Sequence, residues 1–379
     1  MLKHTHNSSS TRRGAILLIT LIIIYIMTFM VVQFVATAIS QIRLQATLKT
    51  RHEFSSVAYS VLEIVNAVIY EHQLLDDGNL FGANQGWRHP LEYAESLDLP
   101  EGLQVEVNIV DESAKFSLVN INEDQLRHLF EAMDIDFSDR SILVDSLVDW
   151  MDKDDLVGLN GAESDFYEAM DPPVKPANAP LTSYEPLRFI RGFRDLFFDE
   201  ATAMPNERYY QFVEATSLHH KGAVNINGAS PLVKQALALQ HTLDVDSFDR
   251  ALAGSDRVYG TDDDTYFGAP GVELSSVGLG NVPGVTNRVS MLRIEIHVSQ
   301  GDRNYRISTL TRVGGGSGDS SYDDYEEYEE YEGDDYGDDD PGYDEDYDDY
   351  EDYDDGSDAS EIVQYPFEIL RIVENAEID

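Results

Sequence analysis

Residues 15–32 read AILLITLIIIYIMTFMVV and contain no charged side chain. An apolar run of about 20 residues has the length that crosses the hydrocarbon core of a bilayer. Arg12 and Arg13 stand directly before the run, and together with Lys3 they predict a cytoplasmic N-terminus by the positive-inside rule. We therefore expect a single transmembrane helix, with the rest of the chain on the far side of the membrane.

Two other interpretations of this stretch stay open. Ala36-Thr37-Ala38 offers the small residues of a signal-peptidase site, although the apolar run is longer than the about 7–15 residues usual in a cleaved signal. Gly14 ends a basic leader directly before the apolar run. That arrangement resembles the cleavage point of type IV prepilins, in which the leader is removed and the hydrophobic helix stays attached.

Charge and composition restrict the function classes. The chain has 379 residues, a net charge of −45 and no cysteine, which excludes disulfides, thiolate metal sites and a cysteine nucleophile. Residues 314–361 contain 24 Asp and Glu, no Lys or Arg, and regularly spaced Tyr. We expect this acidic tract to be disordered, because it repels itself and lacks aliphatic residues for a core. Nucleic acid is not an expected partner, because phosphate binding needs a basic face.

Hydrophobic periodicity predicts the regular elements. Apolar residues recur at helical intervals over 39–72 without Pro or Gly, so the first helix is predicted to continue to about residue 75. Alternation of apolar and polar residues or a β-rich composition predicts strands at 103–109, 115–121, 291–299, 303–313 and 362–373. Helices are predicted at 123–133 and about 139–151.

Short motifs predict where helices begin. Asn122 with Gln125, and Thr182 with Glu185, have the spacing of capping boxes. The sequence VNIN at 119–122 recurs letter for letter at 224–227, where Ser230 is the expected N-cap and Pro231 the first residue of the next helix.

These elements predict an α+β fold with a long N-terminal transmembrane helix, an antiparallel sheet and a large inserted α-helical domain. The predicted segments are a leader (1–14), the N-terminal helix (15–75, with 15–35 in the membrane), the first part of an αβ domain (76–122), the inserted helical domain (123–215), the second part of the αβ domain (216–313), the acidic insertion (314–361) and a C-terminal strand with its tail (362–379).

The densest cluster of candidate metal ligands lies around a glycine-containing loop. It comprises Asp149, Asp152, Asp154, Asp155, Glu163 and Asp165. Calcium takes six to eight oxygen ligands from flexible acidic loops of this kind. The spacing does not follow the EF-hand pattern, and a solvated acidic loop that ends a helix is the alternative interpretation.

Evidence for catalysis is weak. Asp145 and Asp149 lie one turn apart on a predicted helix, but nothing nearby in the sequence separates their pKa values. His219-His220 precedes Lys221-Gly222 and is interpreted as an exposed turn. The chain has no nucleophile elbow, no phosphate loop and no His-Glu-x-x-His motif. We therefore predict that the protein is not an enzyme.

Six further motifs follow Arg13-Gly14 and the apolar run in a fixed order. They are FSLVNIN (116–122), LVDWMDKDD (147–155), GAESDFY (161–167), PPVKPANAPL (172–181), IRG (190–192) and VNINGA (224–229). With this set the chain resembles the minor pseudopilin K family of type II secretion systems, also called general secretion pathway protein K. The resemblance covers Arg12 to about Val313 and the last strand.

The resemblance implies a fold, a processing step and partners. Its members are similar to pilins with a helical domain inserted into the αβ scaffold. Prepilin peptidase would cut between Gly14 and Ala15, leaving an inner-membrane protein with a periplasmic domain. Ile19 stands where major pilins have a glutamate, which implies a position at the pseudopilus tip with minor pseudopilins I and J. Such a subunit would initiate or cap the fibre and support protein export. Calcium-binding relatives also favour calcium at residues 149–165.

Two features depart from the family pattern. Ala15 is smaller than the residue often found after the cleavage point. The acidic tract is not a recognised family feature, and it is interpreted either as a solvated insertion or as a segment for calcium, partner binding or a sulfation-like modification. Two other functions stay open: an anchored periplasmic calcium-binding protein, and a DNA-uptake protein in which Ile190-Arg191-Gly192-Phe193 belongs to a helix-hairpin-helix.

Overall fold

The computed structural model describes residues 9–93, 99–100, 102–261, 263–314 and 365–375. Helix α1 runs without interruption from Ser9 to Leu75. Its segment Leu18–Gln41 has a mean hydropathy of 2.5 and is not buried by the rest of the protein, and it is the single candidate membrane span in the described part of the chain. Residues 1–8 of the predicted leader and residues 315–364, which include nearly all of the acidic tract, lie outside the described residues.

The other elements follow in chain order. They are β1 (Gln104–Asp111), β2 (Phe116–Ser117), α2 (Glu123–Ala132), α3 (Phe137–Met151), α4 (Ser164–Glu168), α5 (Phe193–Phe197), α6 (Glu207–Ala215), β3 (Thr216–Ser217), β4 (Val224–Asn225), α7 (Pro231–His241), α8 (Asp246–Leu252), β5 (Val285–Thr286), β6 (Met291–Gln300), β7 (Arg303–Val313) and β8 (Phe367–Glu374). Short 3₁₀ helices occur at Ala83–Gln85, Pro90–Tyr93, Glu112–Ala114, Glu185–Arg188 and Leu274–Val277.

The main sheet is antiparallel, with the strand order β1-β6-β7-β8. Strand β6 alternates, and its residues Leu292, Ile294, Ile296 and Val298 are buried together with the second half of α1. The helix contributes Phe54, Val61, Val65 and Ile69 to this core, among others. The part of the predicted apolar face from Phe54 to Ile69 therefore packs on the sheet, whereas Ile39 is exposed. Each such side chain contributes about 1.5–3 kcal/mol when fully buried.

A second core belongs to the helices. Phe130, Phe193, Phe197 and Phe212 form an aromatic cluster with ring centroids 5.0–6.2 Å apart. The same core includes residues of α7 and α8, and α7 packs against α2. The residues that form this helical core therefore range in sequence from Phe116 to Leu279. The inserted domain at 123–215 stays a prediction, and α7 and α8, which follow it in the sequence, bury apolar side chains in the helical core.

Local predictions had mixed outcomes. Strand 115–121 was predicted too long, since only Phe116–Ser117 pairs, in parallel with Thr216–Ser217. The Ser117 hydroxyl accepts hydrogen bonds from the backbone N–H groups of Val119 and Asn120, and this turn ends the strand.

Two of the predicted helix caps form in the structure and one does not. Asn122 caps α2 by accepting from the Gln125 N–H at 3.1 Å, and Ser230 caps α7, which begins at Pro231. The capping box at Thr182 was wrong, because the chain there forms the 3₁₀ helix Glu185–Arg188 after Tyr184, which makes no side-chain cap.

The second VNIN sequence joins distant parts of the fold. The Asn225 amide donates to the carbonyl of Phe81 at 2.8 Å and to the Asp111 carboxylate at 2.7 Å. The Asn227 amide donates to the carbonyls of Phe81, Phe267 and Asn287 at 2.9–3.3 Å, and its oxygen accepts from the Phe267 N–H. The two copies of VNIN therefore have different roles: the first ends in a helix cap, and the second fastens loops to the sheet.

Candidate metal centre

Three acidic side chains meet where α3 ends. Asp149 lies in the last turn of α3, Asp152 follows it, and Glu163 directly precedes α4. One carboxylate oxygen from each residue lies within 4.8 Å of the other two. Three carboxylates at this separation repel one another, so the arrangement needs a cation or protons to be stable.

The buried carboxylate of Glu163 is the strongest feature in favour of a metal site. Its side chain is only 2% exposed, and neither of its oxygens has a hydrogen-bond partner among the described residues. One oxygen of Asp152 is buried without a partner as well. Burial of an ionised carboxylate without partners is costly, and natural proteins normally pair such groups or place them on a metal.

Two glycines let the loop close over the cluster. The Gly158 N–H donates to Asp149 Oδ2 at 2.9 Å. A Cβ atom added to Gly158 would lie 2.8 Å from Asp149 Oδ1, and one added to Gly161 would lie 1.9 Å from Asp149 Oδ2. Both positions need glycine because the backbone approaches the carboxylate so closely, and not because of their backbone angles.

The electrostatics of the cluster agree with this geometry. Burial, followed by the charges of Asp152, Asp149 and Asp155, raises the pKa of Glu163 to about 7. Burial also raises the pKa of Asp149, against the hydrogen bond from Gly158. The pKa of Asp152 is raised by burial and by the charge of Asp154. A divalent cation would reverse this effect, because it favours the ionised carboxylates.

The structure brings together three of the six predicted ligands. Asp154, Asp155 and Asp165 are exposed and lie outside the cluster. Asp154 instead accepts the Leu156 N–H at 2.9 Å and closes a turn of the loop. Three carboxylates supply three to six oxygens, so calcium would complete its coordination with backbone carbonyls or water.

Neighbouring side chains hold the loop in place. Both carboxylate oxygens of Asp145 are engaged, one by Arg127 at 3.1 Å and the other by the backbone and side-chain amides of Asn160. Arg191 donates to the Gly161 carbonyl at 2.7 Å and lies over the ring of Phe166. Asp145 therefore positions the loop and is not poised as a partner of Asp149 in catalysis. The sequence motif IRG contained Arg191, but its contact with residue 161 was not predicted.

The predicted processing residues lie in α1. Gly14 and Ala15 are in its N-terminal part, and Ile19 lies at the start of the candidate membrane span with 54% of its surface exposed. The prediction that Gly14–Ala15 is a cleavage site stays a prediction.

Comparisons with known proteins agree on one family. The family model described as type II secretion system (T2SS), protein K, matches residues 107–202. A protein of Escherichia coli assigned as type II secretion system protein K is 26% identical over 201 residues, which cover 49% of this chain and 60% of that protein. The type II secretion system protein K of Aeromonas hydrophila is 26% identical over 195 residues, 47% of this chain and 58% of that protein.

A solved structure is also similar. It is the crystal structure of the GspK-GspI-GspJ complex from enterotoxigenic Escherichia coli, with a TM-score of 0.48 and 16% identity, covering 73% of this chain and 95% of the matched chain. The matched segments span about 60% of the length of the curated relatives.

The long apolar N-terminal helix, the antiparallel sheet and the helical body with its acidic loop define an α+β protein with a single candidate membrane anchor. The family match begins in β1 and includes α2, α3 and the whole acidic loop. Residues 107–202 match the type II secretion system protein K family, and about half of the chain is similar to its curated relatives.

Proposed function

We propose that this protein is a minor pseudopilin at the tip of a type II secretion pseudopilus, where it assembles with minor pseudopilins I and J. It is anchored in the inner membrane by α1 with its body in the periplasm, and it initiates or caps the fibre that supports export through the outer membrane. The observation that carries the proposal is the family match over residues 107–202. Its role is to bind other subunits, and it is not enzymatic.

The apolar N-terminus supports the tip position. The first acidic residue of the chain is Glu53, so the membrane-spanning half of α1 has no carboxylate. A carboxylate in the membrane is costly unless it is paired. A subunit with Ile19 at this position avoids that cost when no neighbour above it supplies a partner.

The test is co-expression of the full chain with minor pseudopilins I and J, with and without an active prepilin peptidase. We expect a mature chain that begins at Ala15 only when the peptidase is active, and that chain should co-purify with both partners from detergent. Intact mass and N-terminal sequencing provide the readout. A chain that keeps residues 1–14, or one cut after Ala38, contradicts the proposal and favours an anchored or secreted protein outside any pseudopilus.

The helix-hairpin-helix alternative gains little support from the local structure. Ile190-Arg191-Gly192 lies between the four-residue 3₁₀ helix Glu185–Arg188 and the five-residue α5. Ile190 is fully buried, and the Arg191 side chain donates a hydrogen bond to the Gly161 carbonyl. DNA binding that weakens with added salt would be needed to revive this alternative.

We also propose that Asp149, Asp152 and Glu163 bind calcium, which would hold the loop 152–163 against α3. The unpartnered, buried carboxylate of Glu163 carries this proposal. Trp150 lies in the same turn of α3 as Asp149, so terbium bound in place of calcium should luminesce when tryptophan is excited.

The matched variants are Glu163→Gln, within the cluster, and Asp165→Asn, an exposed carboxylate two residues away. We expect the first to abolish calcium-competed terbium luminescence and the second to leave it unchanged. Equal luminescence from both variants and the wild type would mean that the cluster is not the binding site.

A further inference from the structure

A groove of about 410 Å³ lies between the main sheet and the helical body. Its apolar wall includes Leu218, Leu310 and Leu370. The sheet contributes to it through Leu310 of β7 and through Leu370 and Arg371 of β8, which are the last two strands in the order. The groove therefore has an apolar wall between the sheet and the helical body, a form that suits an extended chain.

The charges that line this groove are all basic. They come from Lys221 and Arg371, and no Asp or Glu is among the described residues that line it. The whole chain has 71 acidic residues against 26 Lys and Arg, so the charged residues of a groove with the average composition of the chain would be mostly acidic. A basic groove on a protein of charge −45 points to an anionic occupant.

Both of these basic groups are available. Lys221 and Arg371 are exposed, and within the described ranges neither forms an ion pair. A register shift in the β7–β8 pairing leaves Leu370 as the extra residue, since Leu310 pairs with Arg371 and Thr311 with Ile369. A bulge of this kind re-aims side chains, and here Leu370 and Arg371 both line the groove.

The chain itself contains a segment of the required chemistry, which lies outside the described residues. Between Gly314 and Tyr365 it has 24 acidic residues, no Lys or Arg, and Tyr at 322, 325, 328 and 331, among others. The carboxylates match the basic groups, and the tyrosine rings match the apolar wall while their hydroxyls stay in water. We infer that this acidic tract docks in the groove of its own chain.

The tract is long enough to do so. Its two ends leave the fold together, because the Gly314 N–H donates to the Pro366 carbonyl at 3.1 Å. Arg371 follows Pro366 by five residues of strand, or roughly 17 Å at about 3.3 Å per residue. A segment of about 25 residues, half of the tract, spans roughly 25–30 Å as a relaxed coil. The groove therefore lies within reach, at an effective concentration on the order of millimolar.

The experiment is zero-length carbodiimide cross-linking of the detergent-solubilised full-length protein, which couples lysine amines to carboxylates in direct contact. Peptide mass spectrometry then counts links between the tract and three exposed lysines: Lys221 in the groove, and Lys153 and Lys175 outside it. We expect at least about fivefold more tract links at Lys221. The excess should vanish in 1 M salt, where the Debye length falls to about 3 Å.

Charge variants test whether the groove is the docking site, and isotope mixing tests whether the docked tract belongs to the same chain. Arg371→Glu should reduce the Lys221 links severalfold, whereas Arg194→Glu, at an exposed arginine outside the groove, should not. In a mixture of ¹⁴N- and ¹⁵N-labelled protein, the links should join peptides of the same label. Equal yields at the three lysines, a yield that Arg371→Glu leaves unchanged, or links mainly between differently labelled chains would each overturn the inference.

Discussion

Replacement of Glu163 by glutamine should have opposite effects on stability with and without calcium. Without calcium, the ionised Glu163 is buried beside Asp149 and Asp152, and neither of its oxygens has a partner in the described part of the chain. Glutamine keeps the shape and removes that charge, so the calcium-free variant should be more stable than the wild type at pH 8. With calcium the order should reverse, because the variant has lost a ligand.

The structure sets the size of both effects. The pKa of Glu163 is raised from 4.5 to about 7, and one pKa unit corresponds to about 1.4 kcal/mol. Since the folded pKa of this acid is raised, its contribution to stability is fully present below pH 4.5 and is lost as pH rises through 7. The calcium-free wild type should therefore lose roughly 3 kcal/mol by pH 8, and Glu163→Gln should regain it. Calcium at 1,000 times its dissociation constant should add about 4.1 kcal/mol to the wild type only, which exceeds that difference and reverses the order.

The assay is urea unfolding in detergent at pH 8, followed by tryptophan fluorescence, in chelator and in calcium. Trp150 is buried next to the cluster and reports on the helical body. Asp165→Asn is the matched control and should respond to calcium as the wild type does. If Glu163→Gln is less stable than the wild type in chelator, or is stabilised by calcium to the same extent, the reasoning about the unpartnered carboxylate is refuted.

Three further predictions concern the fold and the loop. Asn227→Ala should lower the free energy of unfolding by about 3 kcal/mol, because it removes two N–H donors and one acceptor oxygen at roughly 1 kcal/mol each. Asn122→Ala, at the same position of the first VNIN, should cost only about 1 kcal/mol, because it removes a helix cap. Similar losses of the two variants in urea unfolding would contradict the difference in roles. Gly161→Ala should abolish terbium binding, since its Cβ would overlap an Asp149 oxygen, and unchanged luminescence would show that the loop is not held there. Burial raises the pKa of Asp111 from 3.8 to about 7. Its contribution to stability is therefore fully present below pH 3.8 and is lost as the pH rises through 7. The total loss is roughly 4 kcal/mol. With calcium saturating, Asp111→Asn should flatten the fall in wild-type stability between pH 5 and 8, and parallel curves would show that another group titrates.

Local features of the sequence determined the elements whose causes are local. The apolar run and the periodicity after it predicted α1 to within a few residues of its end at Leu75, because helical spacing and an absence of Pro and Gly act over neighbouring turns. The alternation in β1, β6 and β7 predicted those strands, and the caps at Asn122 and Ser230 were predicted because each acts on an N–H three residues away. The capping box at Thr182 failed since its spacing did not coincide with a helix start.

Only the tertiary structure decided which polar residues work together. The sequence predicted six acidic residues as candidate ligands around one loop. In the structure only Asp149, Asp152 and Glu163 form a cluster, because Gly158 and Gly161 let the loop approach α3 closely. The two VNIN sequences are identical, yet the second alone faces three loop carbonyls. The identical motifs cannot reveal these different roles from sequence alone. The hydrogen-bond partners of Asn227 lie 40 to 146 residues away in the chain, and packing of the two cores brings them together.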